Sequence, residues 1–392
     1  MRIILFAGKG GVGKTSVSSA TGLAAARKGL NTLVMSLDTA HSLADAFDLD
    51  RRLMDKNKGQ PVAVADNLAI QEIDVVEEID KNWGEVYRYF ATLLNVTGLD
   101  EVLAEELAVL PGMEEVSALL YINRYLRQDN YDVIILDCAP TGESLRFVSI
   151  PTALEWYMRK LFQLERRVAK VARPVVKHFT DVPLPGDEYF DALERLFKRL
   201  EGVEKVLTDP AVTTVRLVTN PEKIVLRETQ RAFMYFCMYH MSIDAVIINR
   251  ILPARAAEGY FEHWRQAQLE HIEQAKQFFS PVPQFEVPFY DNEVVGAEAL
   301  DRLGRELYQA QDPTDVFFRR PPYIFEKENG HYRLQVHLPF VSSEDVELAN
   351  RGEDLIVRIG GFKQHIMLPR QLASRNPSGA KIDQDRLNIT FE

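Results

Sequence analysis

Cysteine is scarce: the 392-residue chain holds only Cys138 and Cys237. Two distant thiols build neither a disulfide framework nor a zinc knuckle. A soft thiolate triad for a metalloid would need a third. Both thiols suit a reducing compartment, where a free cysteine is usually a small buried hydrophobe. Long hydrophobic runs are also missing, since none approaches the roughly 18 residues of a membrane span. "RIILF" at the N-terminus is too short for the apolar core of a signal peptide and runs straight into glycines. A cytoplasmic, soluble protein is expected, although a removed transit peptide would leave no trace. Positive charge is in deficit, with a net charge of −11, which argues against a general nucleic-acid binder. Internal repeats and low-complexity tracts are absent.

What remains is ordinary globular composition, 46% hydrophobic and 26% charged, in a chain long enough for two domains. "RIILFA", "NTLVMSLD", "YDVIILDCA", "TTVRLVTN", "DAVIINRIL" and "FEVPF" are short apolar runs spaced by helical stretches. That pattern predicts an α/β doubly wound parallel sheet. Two helical insertions are expected, over about 76–128 and 151–205. The first carries large apolar residues from Trp83 and Phe90 to Leu110, and the second from Trp156 to Val171. Prolines and charges in "DPTDVFFRRPPY" mark a linker at 313–322. Beyond it, "YRLQVHLPF", "DLIVRI", "KQHIMLP" and "RLNITFE" read as short strands. From Arg319 on there are 11 basic and 10 acidic side chains, so nearly all the negative charge belongs to the first domain. The expected division is an α/β domain at 1–312 and a β-sandwich at 323–392.

"GKGGVGKT" (8–15) fits G-x-x-x-x-G-K-[ST] between a strand and a helix, the setting a phosphate-binding loop requires. Gly8, Gly10, Gly11, Val12 and Gly13 let backbone N–H groups turn inward around phosphates, at the positive end of the following helix. Lys14 should reach the β- and γ-phosphates of ATP, and the Thr15 hydroxyl should ligate Mg²⁺, with Ser16 beside it. The bland alternative is a glycine-rich surface turn.

The early lysine, Lys9, goes beyond that motif. "KGGVGKT" resembles the deviant phosphate loop of a class of dimeric ATPases that includes the ParA/MinD partition ATPases, nitrogenase iron protein and the ArsA/Get ATPases. The resemblance implies that Lys9 reaches into the partner subunit's site and touches its phosphates, and therefore that the protein is a homodimer. The alternative is a solvated loop lysine. "SLDTAHSLADAF" (36–47) resembles switch I of the ArsA/Get branch. That places Asp38 on the aspartate orienting the attacking water, with Thr39 where the family has proline. A helix N-cap is the alternative for Asp38. "YDVIILDCAPTGESLRFVSIP" (131–151) resembles switch II, so Asp137 would hold Mg²⁺ through a water, with Cys138 and Glu143 as departures. "PGMEE" (111–115), "TNPEKIVLRETQRAF" and "IINRILP" extend the match. Asn249 falls on the residue that reads the adenine edge, and Pro288 and Phe289 of "VPFYDNEVVG" flank the base. No C-x-x-C follows "NRILP", so no zinc is expected.

The last segment, from "YRLQVHLPFVSSEDVELANRGEDLIVRIGG" to "DRLNITFE", resembles the α-crystallin domain of small heat-shock proteins. Joined to a zinc-less ArsA/Get ATPase, it resembles a branch of the family known from photosynthetic organisms. It serves either to brace the ATPase or to contact clients. The resemblance implies an ATPase whose helical insertions shield hydrophobic, tail-anchor-like helices, without stable membrane insertion or nucleic acid. The rival for those apolar residues is packing within the helical layer and the dimer interface. A ParA/MinD-like spatial switch is the alternative function, and arsenite efflux lacks its cysteines.

Overall fold

The computed structural model of the chain describes residues 1–38, 42–78, 84, 86–89, 92, 113–176, 184–256, 259–279, 282–319, 323–328, 331–338, 341–342, 345–351, 354–360, 362–368, 372, 375 and 377–391. The apolar set expected from Phe90 to Leu110 lies outside these residues, as do Trp83, Thr39, His41 and the first two residues of "PGMEE".

In chain order, β1 (Arg2–Ala7) leads into α1 (Lys14–Arg27), β2 (Thr32–Ser36), α2 (Leu43–Ala46) and α3 (Arg51–Asn57). A hairpin of β3 (Val62–Ala65) and β4 (Leu68–Glu72) is followed by α4 (Val75–Glu78) and α5 (Met113–Gln128). β5 (Val133–Asp137) opens a long helical run: α6 (Thr141–Tyr157), a π-helical turn over Met158–Phe162, and α7 (Gln163–Val176). Then come α8 (Asp187–Leu200), α9 (Val203–Thr208), β6 (Thr213–Thr219), α10 (Lys223–Met238), β7 (Ile243–Ile251), α11 (Glu262–Phe279), β8 (Gln284–Pro288) and α12 (Gly296–Tyr308).

The eight strands form one sheet in the order β3-β4-β2-β5-β1-β6-β7-β8. Every neighbouring pair is parallel except β3 on β4. Ile3, Leu5 and Ala7 face one core while Ile4 and Phe6 face the other. Burial on both faces is why "RIILFA" is continuously apolar rather than alternating. β1 lies between β5 and β6; its own connection through α1 runs to β2 on one side, and β5 connects past it to β6 on the other. This is the crevice at the carboxyl ends where open α/β sheets bind ligands.

Two features depart from the sequence expectation. The β3–β4 hairpin was not foreseen, because "VAVADNLAIQE" is short and its outer strand is half solvated. Its turn is closed by Asn67 at φ +58, a left-handed position that Asn tolerates. The second helical insertion begins at Thr141 rather than at Pro151, since α6 runs through that proline. Proline removes one helical hydrogen bond, and here the flanking Phe147, Val148 and Pro151 itself are buried, so packing carries the helix past it.

The apolar residues of this insertion divide. Phe162, Ala169 and Phe190 make a small core. Leu164, Val168 and Val171 on α7 stay 59, 57 and 74% exposed.

C-terminal to these elements, β9 (Tyr323–Glu328), β10 (His331–His337), β14 (Pro377–Asp383) and β15 (Arg386–Phe391) form one antiparallel sheet, ordered β14-β15-β10-β9. β11 (Val346–Arg351), β12 (Asp354–Ile359) and β13 (Phe362–Met367) form another. Leu334, Val336, Leu387 and Ile389 from the first sheet meet Leu355 and Val357 from the second in one core. β9, β11 and β14 exceed the four strands expected, because their sequences carry too few apolar residues to announce them.

The stretch after α12 is pinned to the large sheet. Arg216, fully buried, donates to the Pro313 and Asp315 carbonyls at 2.8 and 3.0 Å and lies over the Phe317 ring. Arg2 donates to the Thr314 carbonyl at 3.1 Å, and Asp244 pairs with both arginines. A buried guanidinium is tolerated because its donors are used. Among the described residues, no helix is long and apolar enough to cross a membrane.

Candidate active site

β1 ends at Ala7 and α1 starts at Lys14, so Gly8–Gly13 is the strand-to-helix loop. Its glycines are set by packing as well as by any ligand. A Cβ on Gly8 would run into the carbonyl of Val218 in β6. Gly13 adopts φ +94, and a Cβ there would collide with the Asn249 amide. The first turn of α1 contains no acidic side chain, which leaves the positive end of its dipole uncompensated. Lys14 is buried, and its ammonium donates to the Lys9 carbonyl at 3.1 Å, closing the loop on itself. The Lys9 ammonium takes another direction. It is 37% exposed and pairs with Glu228 at 3.6 Å. The two lysines of the loop therefore have separate placements.

Asp137 closes β5 and is 1% exposed. Neither of its carboxylate oxygens meets a hydrogen-bond partner among the described residues. Burial pushes its pKa up to about 6, and Asp38 adds to the rise. The Thr15 and Ser18 hydroxyls and the Lys14 ammonium face it and pull the other way. A native pKa above the unfolded value means that the folded chain binds more protons than the unfolded chain. Ionising Asp137 therefore removes stability as pH rises from about 4 through about 6, by a few kcal/mol. Asp137→Asn should accordingly raise the melting temperature of the nucleotide-free chain at pH 8, with the gain shrinking toward pH 4. A variant that melts lower at pH 8 would contradict this.

Asp38 lies just past β2. The Ser36 hydroxyl holds its backbone from both sides, donating to its carbonyl and accepting from its N–H at 3.1 Å. It is not a helix N-cap, because α2 begins at Leu43 and Ser42 takes the cap position. Three features here escaped the sequence reading. The Ser42 hydroxyl meets the Thr15 hydroxyl at 3.2 Å, tying switch I to the phosphate loop. One oxygen of the Glu72 carboxylate, at the end of β4, accepts from the N–H groups of Leu43 and Ala44 at 3.0 Å each. Glu228 reaches the loop from α10. Ser42 lies within "SLDTAHSLADAF" and Glu228 within "TNPEKIVLRETQRAF", though nothing in either segment marks these contacts, and nothing local marks Glu72.

On the other side of the loop, a cavity of about 600 Å³ is lined by Gly13, Ser16, Asn249, Pro288, Phe289 and Val295, among others. The Asn249 amide donates to the Val12 carbonyl at 2.8 Å, and its oxygen accepts from the Arg250 N–H. That leaves one amide N–H for a ligand. Phe289 is half exposed, with its N–H bonded to the Ile251 carbonyl. The expected residues of the phosphate loop, Asp38, Asp137, Asn249, Pro288 and Phe289 thus converge on one end of the sheet. Cys138 and Cys237 are free and buried, and burial raises both thiol pKa values. Glu143 is exposed in the first turn of α6.

The chain matches two family models, one described as "Anion-transporting ATPase" over residues 1–309 and one as "HSP20-like domain found in ArsA" over residues 329–391. It is 48% identical over 393 residues to the "Putative arsenical pump-driving ATPase 1" of Aquifex aeolicus, covering 99% of each chain. It is 35% identical over 395 residues to the "Putative arsenical pump-driving ATPase" of Prosthecochloris vibrioformis, covering 100% of this chain and 96% of that one. It is 30% identical over 317 residues to the "ATPase ASNA1 homolog" of Entamoeba dispar, covering 76% of this chain and 91% of that one.

Proposed function

The chain belongs to the anion-transporting (ArsA) ATPase family, and from that premise we propose that it is a homodimeric, magnesium-dependent ATPase that captures hydrophobic helical segments with ATP bound and releases them on hydrolysis. Residues 1–312 are the ATPase, 313–322 the connection and 323–392 the α-crystallin-like domain. The backbone N–H groups from Gly8 to Thr15 cradle the phosphates, with Lys14 on the β- and γ-phosphates. Pro288 and Phe289 flank the adenine, and the remaining Asn249 N–H reads its edge. Asp38 aligns the attacking water, and Lys9 of the partner subunit adds positive charge where the transferred phosphoryl group spreads negative charge.

The residues present fit a magnesium ion. Asp137, a buried carboxylate with no hydrogen-bond partner among the described residues, faces the Thr15 hydroxyl, which is a hard oxygen donor set. Thr15 would hold the ion directly and Asp137 through a water. The ion would supply positive charge to the phosphates.

The client reading rests on one observation: the unburied row Leu164, Val168 and Val171 on α7. Their i, i+4, i+7 spacing places three large apolar side chains on one helical face, in the insertion that sequence analysis marked for client binding. A soluble, cytoplasmic homodimer handling such segments accounts for that face. The pump-driving function named for the relatives is not carried over, because two cysteines cannot make a thiolate triad.

The test uses the full chain with a photo-crosslinker at position 171 and a carrier protein ending in an apolar helix of about 20 residues. Crosslinking should require a non-hydrolysed ATP analogue and should fall when hydrolysable ATP is supplied. Equal crosslinking without nucleotide, or none at all, would contradict client capture.

A further inference from the structure

The ion pair between Lys9 and Glu228 has a direct bearing on when Lys9 can act. Glu228 lies in the first half of α10, outside the phosphate loop and both switches. One of its carboxylate oxygens meets the Lys9 ammonium at 3.6 Å. The other is 3.5 Å from the hydroxyl of Thr141, the first residue of α6 and part of switch II. One carboxylate thus faces the loop lysine and the switch helix together. Glu228 itself is 28% exposed at the side chain, so the pair is loose enough to exchange partners without a large desolvation cost.

A lysine paired with a carboxylate of its own chain is less available to a triphosphate in another chain. We propose that Glu228 is a positioning residue for Lys9. It parks the lysine within the single chain and releases it when two chains close around ATP, through the same carboxylate that touches switch II. This rests on the reading that Lys9 acts across a dimer. Phosphate oxygens carry more negative charge than one carboxylate, so the exchange runs toward the triphosphate once the partner's site is within reach. When Lys9 leaves, Glu228 keeps the Thr141 hydroxyl as a partner, which couples the lysine's departure to the position of α6. An exposed ion pair shifts an equilibrium by about two- to fivefold, so the carboxylate biases the assembly rather than locking it.

Glu228→Gln tests this, because glutamine removes the charge and keeps an oxygen for Thr141. Turnover of Mg-ATP per chain is measured across chain concentrations for the unmodified protein, Glu228→Gln, Lys9→Ala and the double variant. Association with a non-hydrolysed ATP analogue is followed by sedimentation. Glu228→Gln should raise turnover about two- to fivefold at low chain concentration, shift association to lower concentration by a similar factor, and leave the KM for ATP unchanged. In the Lys9→Ala background the same substitution should change nothing. Unchanged or lowered turnover in Glu228→Gln, or an equal effect with and without Lys9, overturns the role of Glu228 while leaving the trans-acting lysine standing. Full turnover in Lys9→Ala alone overturns both.

Discussion

Asp38→Asn is expected to bind ATP as tightly as the unmodified chain and to lose roughly a hundredfold or more in turnover. Binding should survive because the residues proposed to cradle the phosphates, Gly8–Gly13, Lys14 and the start of α1, lie outside the segment carrying Asp38. Turnover should fall because, on the proposed reading, the Asp38 carboxylate aligns the attacking water. The Ser36 hydroxyl fixes the Asp38 backbone on both sides, and Asp38 raises the pKa of the buried Asp137, so the two carboxylates address one site. A loose phosphoryl transition state asks little proton abstraction of the protein, so alignment of water is the main loss expected. Fluorescent-nucleotide binding alongside single-turnover hydrolysis separates the effects. Near-normal turnover would remove Asp38 from the mechanism.

Lys9→Ala is the second large effect. A cation supplied to a transferring phosphoryl group from another chain is worth roughly a thousandfold or more in turnover. The Lys14 ammonium sits within its own loop while the Lys9 ammonium is partly exposed toward α10. Removing Lys9 should therefore leave nucleotide affinity nearly intact. The unmodified chain should show turnover per chain that rises with chain concentration, and the variant should show a low, flat line. A variant that matches the parent at every concentration would return Lys9 to the status of a solvated loop residue.

The sequence announced the parts of this protein whose chemistry is local. A strand buried on both faces must be apolar throughout, so β1, β2, β5, β6 and β7 were legible. A loop that wraps phosphates needs glycines at fixed offsets, so Gly8–Thr15 was legible too. Elements stabilised by distant partners were not. β3 is short and half solvated, β4 beside it is only five residues long, and β14 carries mostly exposed residues, so none shows a strong period. α6 continues through Pro151 because side chains around it are buried, a tertiary effect that local propensity opposes. Within the site, Asp137 ends a buried strand and Asp38 follows two residues after one, so both positions could be read from strand patterning. Glu72 and Glu228 act through hydrogen bonds and ion pairs with residues 29 and 219 positions away, and no local pattern encodes a contact of that range. The Asn249 amide also braces the phosphate loop through the Val12 carbonyl, a long-range contact that no local pattern announces, while its oxygen accepts from the Arg250 N–H.

The most direct measurement mixes two inactive proteins. Lys9→Ala and Asp38→Asn, each nearly silent alone, are combined in equal amounts and ATP turnover is recorded. If the lysine acts across the interface, each mixed dimer has one whole site, with its own Asp38 and the partner's Lys9. Random pairing should then restore about a quarter of the parent turnover. If the mixture stays as silent as its components, the lysine serves its own chain and the dimeric account is wrong.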